Sequence, residues 1–346
     1  MQALAILEPG RTAIIDVPAQ AVGPGEVRVE IAYVGFCGSD LTSFRGANPL
    51  VSYPRVPGHE IAGTISELGD GVDLAIGQPV TIVPYFNCGT CHACRLGRPN
   101  ACTNNQTMGV QREGAMTGNV VVPASKVLPV DALPLRDLAL VEPCAVGFHA
   151  VRRAEIVPGE TVLIFGCGMI GLGALMGARR AGARTIMCDL SSEKLAVARA
   201  LGADVTLNPT DPGWRQALLD CVPDGPDAVI EAVGAEATFL QAIELVSSCG
   251  RVVYIGYAKA PIAYDTKIFI TKELDIRGSR NALPRDFQDV IEYLRSNPEA
   301  SSMVVSVCVP LARSGELLAE WDRSPGRFTK ILIDLKSAAS PLGQSV

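Results

Sequence analysis

The chain has 346 residues, of which 48% are hydrophobic and 19% charged, a composition that excludes an intrinsically disordered protein. A formal net charge of −6 excludes a broad basic face, so we expect neither nucleic acid nor a membrane surface as a partner. Eleven cysteines are too sparse, and odd in number, for a disulfide scaffold. The sequence opens without the pattern of a signal peptide, so we expect a cytoplasmic protein of two or three domains.

The first 130 residues predict a β-rich unit. Apolar or alternating runs at 27–34, 60–68 and 79–84 predict strands, and glycine and proline turn signals separate them. This pattern is typical of a barrel-like domain.

From about residue 151 the pattern alternates between strands and helices. The predicted strands are 161–165, 185–189, 227–233, 251–256 and 330–335, and the predicted helices are 166–181, 192–201, 236–247, 286–295 and 311–321. Such alternation predicts a doubly wound parallel sheet. The stretch 161–178 carries no charge and approaches the length of a membrane span, but its five glycines favour a soluble strand, turn and helix.

Four cysteines form a compact motif with the spacing C-x2-C-x2-C-x7-C: Cys88, Cys91, Cys94 and Cys102. Four thiolates on one loop can surround Zn²⁺ tetrahedrally at about 2.3 Å. We therefore predict a structural zinc lobe at 86–103, with an iron–sulfur cluster as the alternative that this spacing leaves open. His92 lies in the same loop but is surplus to a site with four ligands.

A second set of metal-binding residue types is scattered along the chain: Cys37 in GFCGSD, His59 and Glu60 in PGHE, and Glu142 in VEPCAVGFHA. A sulfur, a nitrogen and one or two carboxylate oxygens suit zinc with an exchangeable position, which is the catalytic type of site. Only the fold could bring these residues together. A buried thiol, a satisfied imidazole and a surface carboxylate are the alternative interpretations.

A glycine-rich turn follows the predicted strand 161–165 and opens a helix: Gly166, Cys167, Gly168, Met169, Ile170 and Gly171. In this setting G-x-G-x-x-G predicts a dinucleotide site, with the pyrophosphate at the helix N-terminus. Asp189 ends the next predicted strand, where a carboxylate accepts from the ribose 2′-hydroxyl and repels a 2′-phosphate. We therefore predict NAD rather than NADP, with Lys194 as the nearest cation.

Taken in order, GFCGSD, PGHE, the cysteine motif, EPCAVGFHA and GCGMIGLG resemble the zinc-dependent medium-chain dehydrogenases over essentially the whole chain. Within that family, a glutamate instead of a cysteine at position 142 resembles the pattern of the polyol and threonine dehydrogenase branch. The segments 52–60, 149–160 and 272–287 most resemble bacterial hexonate 5-dehydrogenases, which act on L-galactonate or L-gulonate.

This resemblance implies an α/β fold with two domains: a β-rich, GroES-like catalytic domain at 1–150 and 285–346, and a Rossmann dinucleotide-binding domain at 151–284, with the active site in the cleft. It implies that Cys37, His59 and a glutamate, Glu60 or Glu142, bind the catalytic zinc. It also implies that Ser39 is the proton-relay hydroxyl, that each subunit binds two Zn²⁺, and that the protein is a homodimer or homotetramer.

The predicted reaction is hydride transfer from a secondary alcohol of a sugar acid, at C5 of an L-hexonate, to NAD. Arg280 and Asn281 follow a strand, in a loop that reaches the nicotinamide in relatives, and a guanidinium suits a substrate carboxylate. Arg280 could equally bind the cofactor or polyol hydroxyls, so a polyol dehydrogenase of the sorbitol or galactitol type is the alternative. A threonine dehydrogenase and a non-catalytic zinc- or redox-sensing protein are more distant alternatives.

Overall fold

The computed structural model describes residues 1–336, and within that range the chain forms seventeen strands and twelve α-helices. The strands, in chain order, are β1 (Gln2–Glu8), β2 (Arg11–Asp16), β3 (Glu26–Phe36), β4 (Glu60–Leu68), β5 (Pro79–Ile82), β6 (Tyr85–Phe86), β7 (Gln106–Thr107), β8 (Asn119–Pro123), β9 (Val127–Pro129), β10 (Thr161–Phe165), β11 (Arg184–Cys188), β12 (Val205–Leu207), β13 (Ala228–Glu231), β14 (Arg251–Tyr254), β15 (Asp275–Gly278), β16 (Val305–Pro310) and β17 (Lys330–Asp334).

The α-helices are α1 (Gly38–Phe44), α2 (His92–Arg95), α3 (Leu135–Leu138), α4 (Val141–Ala154), α5 (Met169–Arg180), α6 (Ser192–Ala200), α7 (Trp214–Cys221), α8 (Glu236–Leu245), α9 (Lys267–Thr271), α10 (Pro284–Ser296), α11 (Ala300–Val304) and α12 (Ser314–Arg323). Three short 3₁₀ turns lie at Pro99–Ala101, Ala124–Lys126 and Leu311–Arg313.

Among the described residues, the first compact unit comprises Met1–Glu142 and residues 305–336. Its main sheet has the strand order β16-β17-β3-β4-β5-β9, and β8 pairs with β3 off this path. The first half of strand β3 alternates between buried and less buried residues, as expected where one face covers an apolar core, and its second half is mostly buried. The C-terminal strand β17 pairs antiparallel with β3, so the sheet brings the ends of β3 and the starts of β4 and β17 side by side.

The second unit, Pro143–Val304, is built on a six-stranded parallel sheet with the order β12-β11-β10-β13-β14-β15. Strand β10 is buried along its whole length, as its TVLIF sequence requires in a sheet with helices on both faces. The chain moves outward from β10 to β11 and β12, and then returns to β13 on the other side of β10. This reversal is the mark of a doubly wound sheet, and the predicted fold class is confirmed.

The boundaries of the two units differ from the predicted domains. The expected return to the catalytic domain at 285 falls inside α10, yet α10 and α11 belong to the second unit, which ends at Val304. Helix α10 is anchored in the second unit, because its buried residue Asp286 accepts hydrogen bonds from His149 and Arg152 of α4. Helix α4 itself contains the first boundary, at Glu142 and Pro143 rather than at 150. Residues 337–346 of the predicted catalytic domain lie outside the described residues.

The uncharged stretch 161–178 forms β10, the glycine turn and most of α5. No helix within residues 1–336 is both long enough and apolar enough to cross a bilayer.

Candidate active site

Three of the predicted zinc ligands meet in the first unit, where β3 ends and β4 begins. The ligand atoms of Cys37, His59 and Glu60 lie within 4.8 Å of one another. Cys37 follows β3 directly and precedes α1, while Glu60 is the first residue of β4, paired with Gly35 of β3. The antiparallel register of two neighbouring strands therefore brings together residues that are more than twenty positions apart in the chain.

Asp40 fastens the two segments that carry Cys37 and His59. One of its carboxylate oxygens accepts from the Cys37 amide at 2.8 Å, and the other accepts from the Gly58 amide at 3.4 Å. Burial raises the pKa of Asp40 even though His59 and these amides favour its charge. The sequence analysis did not single out Asp40, although an acidic residue three positions after a helix N-cap is a recognisable capping signal.

His59 is buried, and its Nδ1 atom has no hydrogen-bond partner among the described residues. Burial alone would lower its pKa, but the acidic groups around it, Cys37 foremost, raise that pKa well above its ordinary value. A buried imidazole nitrogen without a partner is costly unless a ligand satisfies it. This nitrogen is therefore a candidate metal ligand.

Glu60 forms a buried ion pair that the sequence analysis missed. Lys330, the first residue of β17, donates to both carboxylate oxygens of Glu60 at 2.6 and 2.5 Å and to the Phe36 carbonyl at 3.1 Å. Burial raises the pKa of Glu60 to about 7 although Lys330 favours its charge. Burial opposes the charge of Lys330, but Glu60 outweighs it and raises the pKa of Lys330. The available signal was a lysine that opens the strand KILID, directly before three apolar residues.

Glu142, in the first turn of α4, is buried near this cluster but outside the group of three. Its Oε1 accepts from the hydroxyl of Tyr85, a buried residue of β6. Burial raises the pKa of Glu142, and the charge of Glu142 in turn favours protonated His59. The structure thus provides two buried carboxylates beside His59, each with a partner of its own.

Ser39, in the first turn of α1, has a buried Oγ with no hydrogen-bond partner among the described residues. A hydroxyl can donate one hydrogen bond and accept others, so Ser39 can pass a proton between two neighbours.

The residues of this cluster fit a zinc ion. A thiol, an unpartnered imidazole nitrogen and a carboxylate converge, and a second buried glutamate, Glu142, lies near them. Sulfur, nitrogen and oxygen donors in this combination suit zinc better than calcium or magnesium, which prefer oxygen alone.

The four cysteines of the predicted lobe also come together, with their sulfur atoms within 4.8 Å of one another. Backbone amides point at these sulfurs, because Cys88 donates to Cys102 Sγ and Cys91 donates to Cys88 Sγ, each at 3.3 Å. Backbone hydrogen bonds lower the pKa of Cys91 to about 5, whereas burial raises the pKa of Cys102 to about 11. His92 is exposed. Four such sulfurs on a short loop are compatible with tetrahedral zinc.

The glycine-rich turn lies in the second unit, between β10 and α5. Gly166 has φ = +96°, and a Cβ at Gly171 would lie 1.8 Å from the Gly166 carbonyl oxygen, so both positions require glycine. Gly168 is the N-cap of α5, and the amides of Met169 and Ile170 in its first turn have no partner within the helix. The turn therefore presents backbone donors to an anion.

Asp189 follows β11 and binds the glycine turn directly. Its two carboxylate oxygens accept from the amides of Cys167 at 2.7 Å and Ser191 at 2.9 Å. Each oxygen keeps a lone pair for a further donor such as a ribose hydroxyl. Lys194 lies in the first turn of α6, where its amide donates to the N-cap Ser191.

Arg280 and Asn281 lie just after β15, at the same carboxyl edge of the parallel sheet as the glycine turn. Arg280 is exposed, and Asn281 adopts a left-handed conformation with φ = +51°. The Ser279 amide donates to the Tyr254 carbonyl at 2.9 Å, which fixes the start of this loop. Ligands of open α/β sheets bind at this edge.

Two comparisons with protein families cover most of the chain. Residues 23–132 match the family described as "Alcohol dehydrogenase GroES-like domain", and residues 170–296 match the family described as "Zinc-binding dehydrogenase".

Individual proteins are similar along much of their length. L-galactonate-5-dehydrogenase of Escherichia coli K12 is 37% identical over 298 residues, 85% of this chain and 87% of that protein. Sorbitol dehydrogenase of Arabidopsis thaliana is 34% identical over 270 residues, 75% of this chain and 74% of that protein.

Solved structures superpose closely as well. The alcohol dehydrogenase rspB of E. coli CFT073, complexed with NADH, has a TM-score of 0.90 and 27% identity, covering 97% of this chain and 99% of that one. A zinc-binding dehydrogenase of Sinorhizobium meliloti 1021, bound to NADP, has a TM-score of 0.88 and 27% identity, covering 96% of this chain and 98% of that one.

Proposed function

Because this chain belongs to the zinc-dependent medium-chain alcohol dehydrogenases and is an NAD(P)-dependent oxidoreductase of that type, we propose that it oxidises a secondary hydroxyl of a sugar acid, at C5 of an L-hexonate, with NAD. The observation that carries this proposal is the buried cluster of Cys37, His59 and Glu60, with its unpartnered imidazole nitrogen, in a chain that also contains a dinucleotide turn. The similarity to an L-galactonate-5-dehydrogenase supports the substrate class.

In this proposal Cys37, His59 and one of the two buried glutamates hold the catalytic zinc. Bound zinc supplies Lewis acidity, which lowers the pKa of an alcohol hydroxyl. Ser39 relays the proton of that hydroxyl, since its buried Oγ has no partner among the described residues. Bound NAD supplies the hydride acceptor.

The preference for NAD over NADP rests on Asp189. Its carboxylate is fixed against the glycine turn and can still accept from a ribose diol, whereas a 2′-phosphate would place negative charge beside it. The predicted homo-oligomer and cytoplasmic location stay predictions.

A polyol dehydrogenase is the second candidate, and the similarity to a sorbitol dehydrogenase favours it. The two candidates differ in one group of the substrate, a carboxylate or a primary alcohol. We propose that Arg280 recognises the carboxylate, because a planar guanidinium can donate two parallel hydrogen bonds to it.

The test compares kcat/KM for an L-hexonate with kcat/KM for the matching hexitol, in wild type, Arg280→Lys and Arg280→Ala. We expect wild type to prefer the hexonate. Arg280→Ala should lose about 10- to 100-fold on the hexonate alone, and Arg280→Lys, which keeps the charge without the fork, should lose less. Equal losses on both substrates would show that Arg280 does not read the carboxylate, and a preference for the hexitol would favour the polyol dehydrogenase.

A further inference from the structure

Glu231 occupies a special position in the second unit, as the last residue of β13. Strands β10 and β13 are neighbours in the sheet, and the chain leaves them toward opposite edges. The crevice between two such strands is the topological switch point, where open α/β sheets bind their ligands. Glu231 pairs in register with Phe165, the residue that precedes the glycine turn.

The side chain of Glu231 accepts hydrogen bonds from the turn that follows it. Its exposure is 0%, and its Oε1 accepts from the amides of Val233 at 2.9 Å and Gly234 at 2.8 Å and from Thr238 Oγ1 at 2.7 Å. Thr238 lies in the first turn of α8, so one carboxylate oxygen connects the turn 232–234 to the start of that helix. The other oxygen, Oε2, is buried without a partner among the described residues.

A buried carboxylate with an unpartnered oxygen is an expensive choice for a residue whose only role is packing. An apolar side chain at the end of β13 could fill the same space, but it could not accept three hydrogen bonds. The arrangement therefore indicates that Glu231 is there to fix the position of the turn 232–234.

That turn borders the glycine-rich turn. The Ala232 amide donates to the Phe165 carbonyl at 3.0 Å, and a Cβ built on Gly166 would lie 2.9 Å from a methyl carbon of Val233. Val233 is itself 52% exposed, which leaves a valine residue partly in solvent beside Gly166, the first residue of the glycine turn.

We propose that Glu231 is a positioning residue for the dinucleotide: it holds the turn 232–234 so that Val233 forms an apolar wall beside the glycine turn and packs against the bound coenzyme. This inference rests on NAD(P) use but on no particular substrate, so it can fail without affecting the proposed L-hexonate activity, and it can hold if that activity is wrong.

The experiment titrates the full-length, zinc-loaded protein with NADH and follows binding by fluorescence. Glu231→Ala removes the acceptor of three hydrogen bonds and should weaken NADH binding by about tenfold or more, while Glu231→Gln keeps an acceptor oxygen and should restore most of the affinity. Val233→Ala leaves the hydrogen bonds in place but removes two methyl groups and should weaken NADH binding by about threefold to tenfold.

Val157→Ala is the matched control, because Val157 is 53% exposed but precedes β10, at the amino edge of the same sheet. It should leave NADH binding unchanged. At saturating NAD, the Val233→Ala and Glu231→Ala enzymes should keep the wild-type kcat with a raised KM for NAD, a separation that general destabilisation of the fold would not produce.

Wild-type NADH affinity in folded Glu231→Ala would overturn the proposal. If Glu231→Ala does not fold, the Val233→Ala variant tests the proposal instead. Wild-type NADH affinity in Val233→Ala would overturn it, because Val233 would then not contact the coenzyme.

Discussion

Each unit contains a buried charged residue that is paired with an opposite charge. In the first unit, Lys330 forms a buried ion pair with Glu60, one of the candidate zinc ligands. In the second unit, Asp286 is fully buried and accepts from His149 Nδ1 at 2.8 Å and Arg152 Nε at 2.7 Å. Buried ions persist only where hydrogen bonds and opposite charges offset the loss of water. Each of these ions therefore fixes the element that carries it.

Asp286 gives a prediction about stability and pH. Burial raises its pKa, but the hydrogen bonds from His149 and Arg152 outweigh burial, so the net effect is a pKa below the ordinary value. A lowered folded-state pKa contributes stability that is complete above the unfolded pKa of about 4 and is lost as the pH falls through the folded value. Asp286→Asn should therefore cost about 2–3 kcal/mol in urea unfolding near pH 7, and this difference from wild type should shrink below about pH 4.

The control for Asp286→Asn is Asp289→Asn. Asp289 also pairs with Arg152, but its side chain is partly exposed, so its loss should cost less than about 1 kcal/mol. A difference between wild type and Asp286→Asn that stays constant from neutral pH to about pH 3 would contradict the assignment.

Residue types and motifs led to the prediction of Cys37, His59, Glu60 and Glu142 as candidate ligands, and the structure brings the ligand atoms of the first three together. The hydrogen-bond partners of the two glutamates could not be predicted from the sequence. Lys330 and Tyr85 contact them only through strand pairing and packing between distant segments. Glu231 was missed because its environment depends on the strand order, which no local pattern encodes.

The elements differ in how they are stabilised. The parallel sheet of the second unit is held by apolar strands, whereas the segment of the four cysteines contains only the four-residue helix α2 and a 3₁₀ turn, and α2 has no buried residue. So little apolar burial cannot offset the entropy of ordering such a loop. We therefore expect this lobe to depend on its metal ion.

Cys94→Ser tests this dependence. Elemental analysis should find one zinc ion per chain instead of two, and limited proteolysis should cleave within 88–102. His92→Ala is the control, since His92 lies in the same lobe but is exposed, and it should keep both ions and the wild-type cleavage pattern. Two zinc ions per chain in Cys94→Ser, with no new cleavage, would show that the lobe does not need four thiolates.

At the scale of the whole molecule, the sequence was enough to predict the two architectures because each has its own periodicity. Strands such as Glu60–Leu68 and Thr161–Phe165 were predicted at their observed bounds. The unit boundaries were not, because they depend on which unit α10 and α11 pack against: α10 contacts α4 through Asp286, and α11 packs against α6.

The chain combines two chemistries, a zinc-type ligand cluster in one unit and a dinucleotide turn in the other. Zinc-dependent oxidation of an alcohol by NAD is the central claim, and it requires both. Substituting a zinc ligand of the first unit should remove turnover and leave coenzyme binding in the second unit intact.

The most direct test is the rate of NADH formation from NAD and an L-hexonate, measured for zinc-loaded wild type, metal-stripped wild type, Cys37→Ser and His59→Ala. We predict robust turnover only in zinc-loaded wild type, with a loss of about a thousandfold or more in the other three, corresponding to several kcal/mol of lost transition-state stabilisation. NADH binding should stay within about threefold of wild type throughout, because the coenzyme turn is unchanged. Turnover near the wild-type rate in the metal-stripped protein would contradict zinc catalysis.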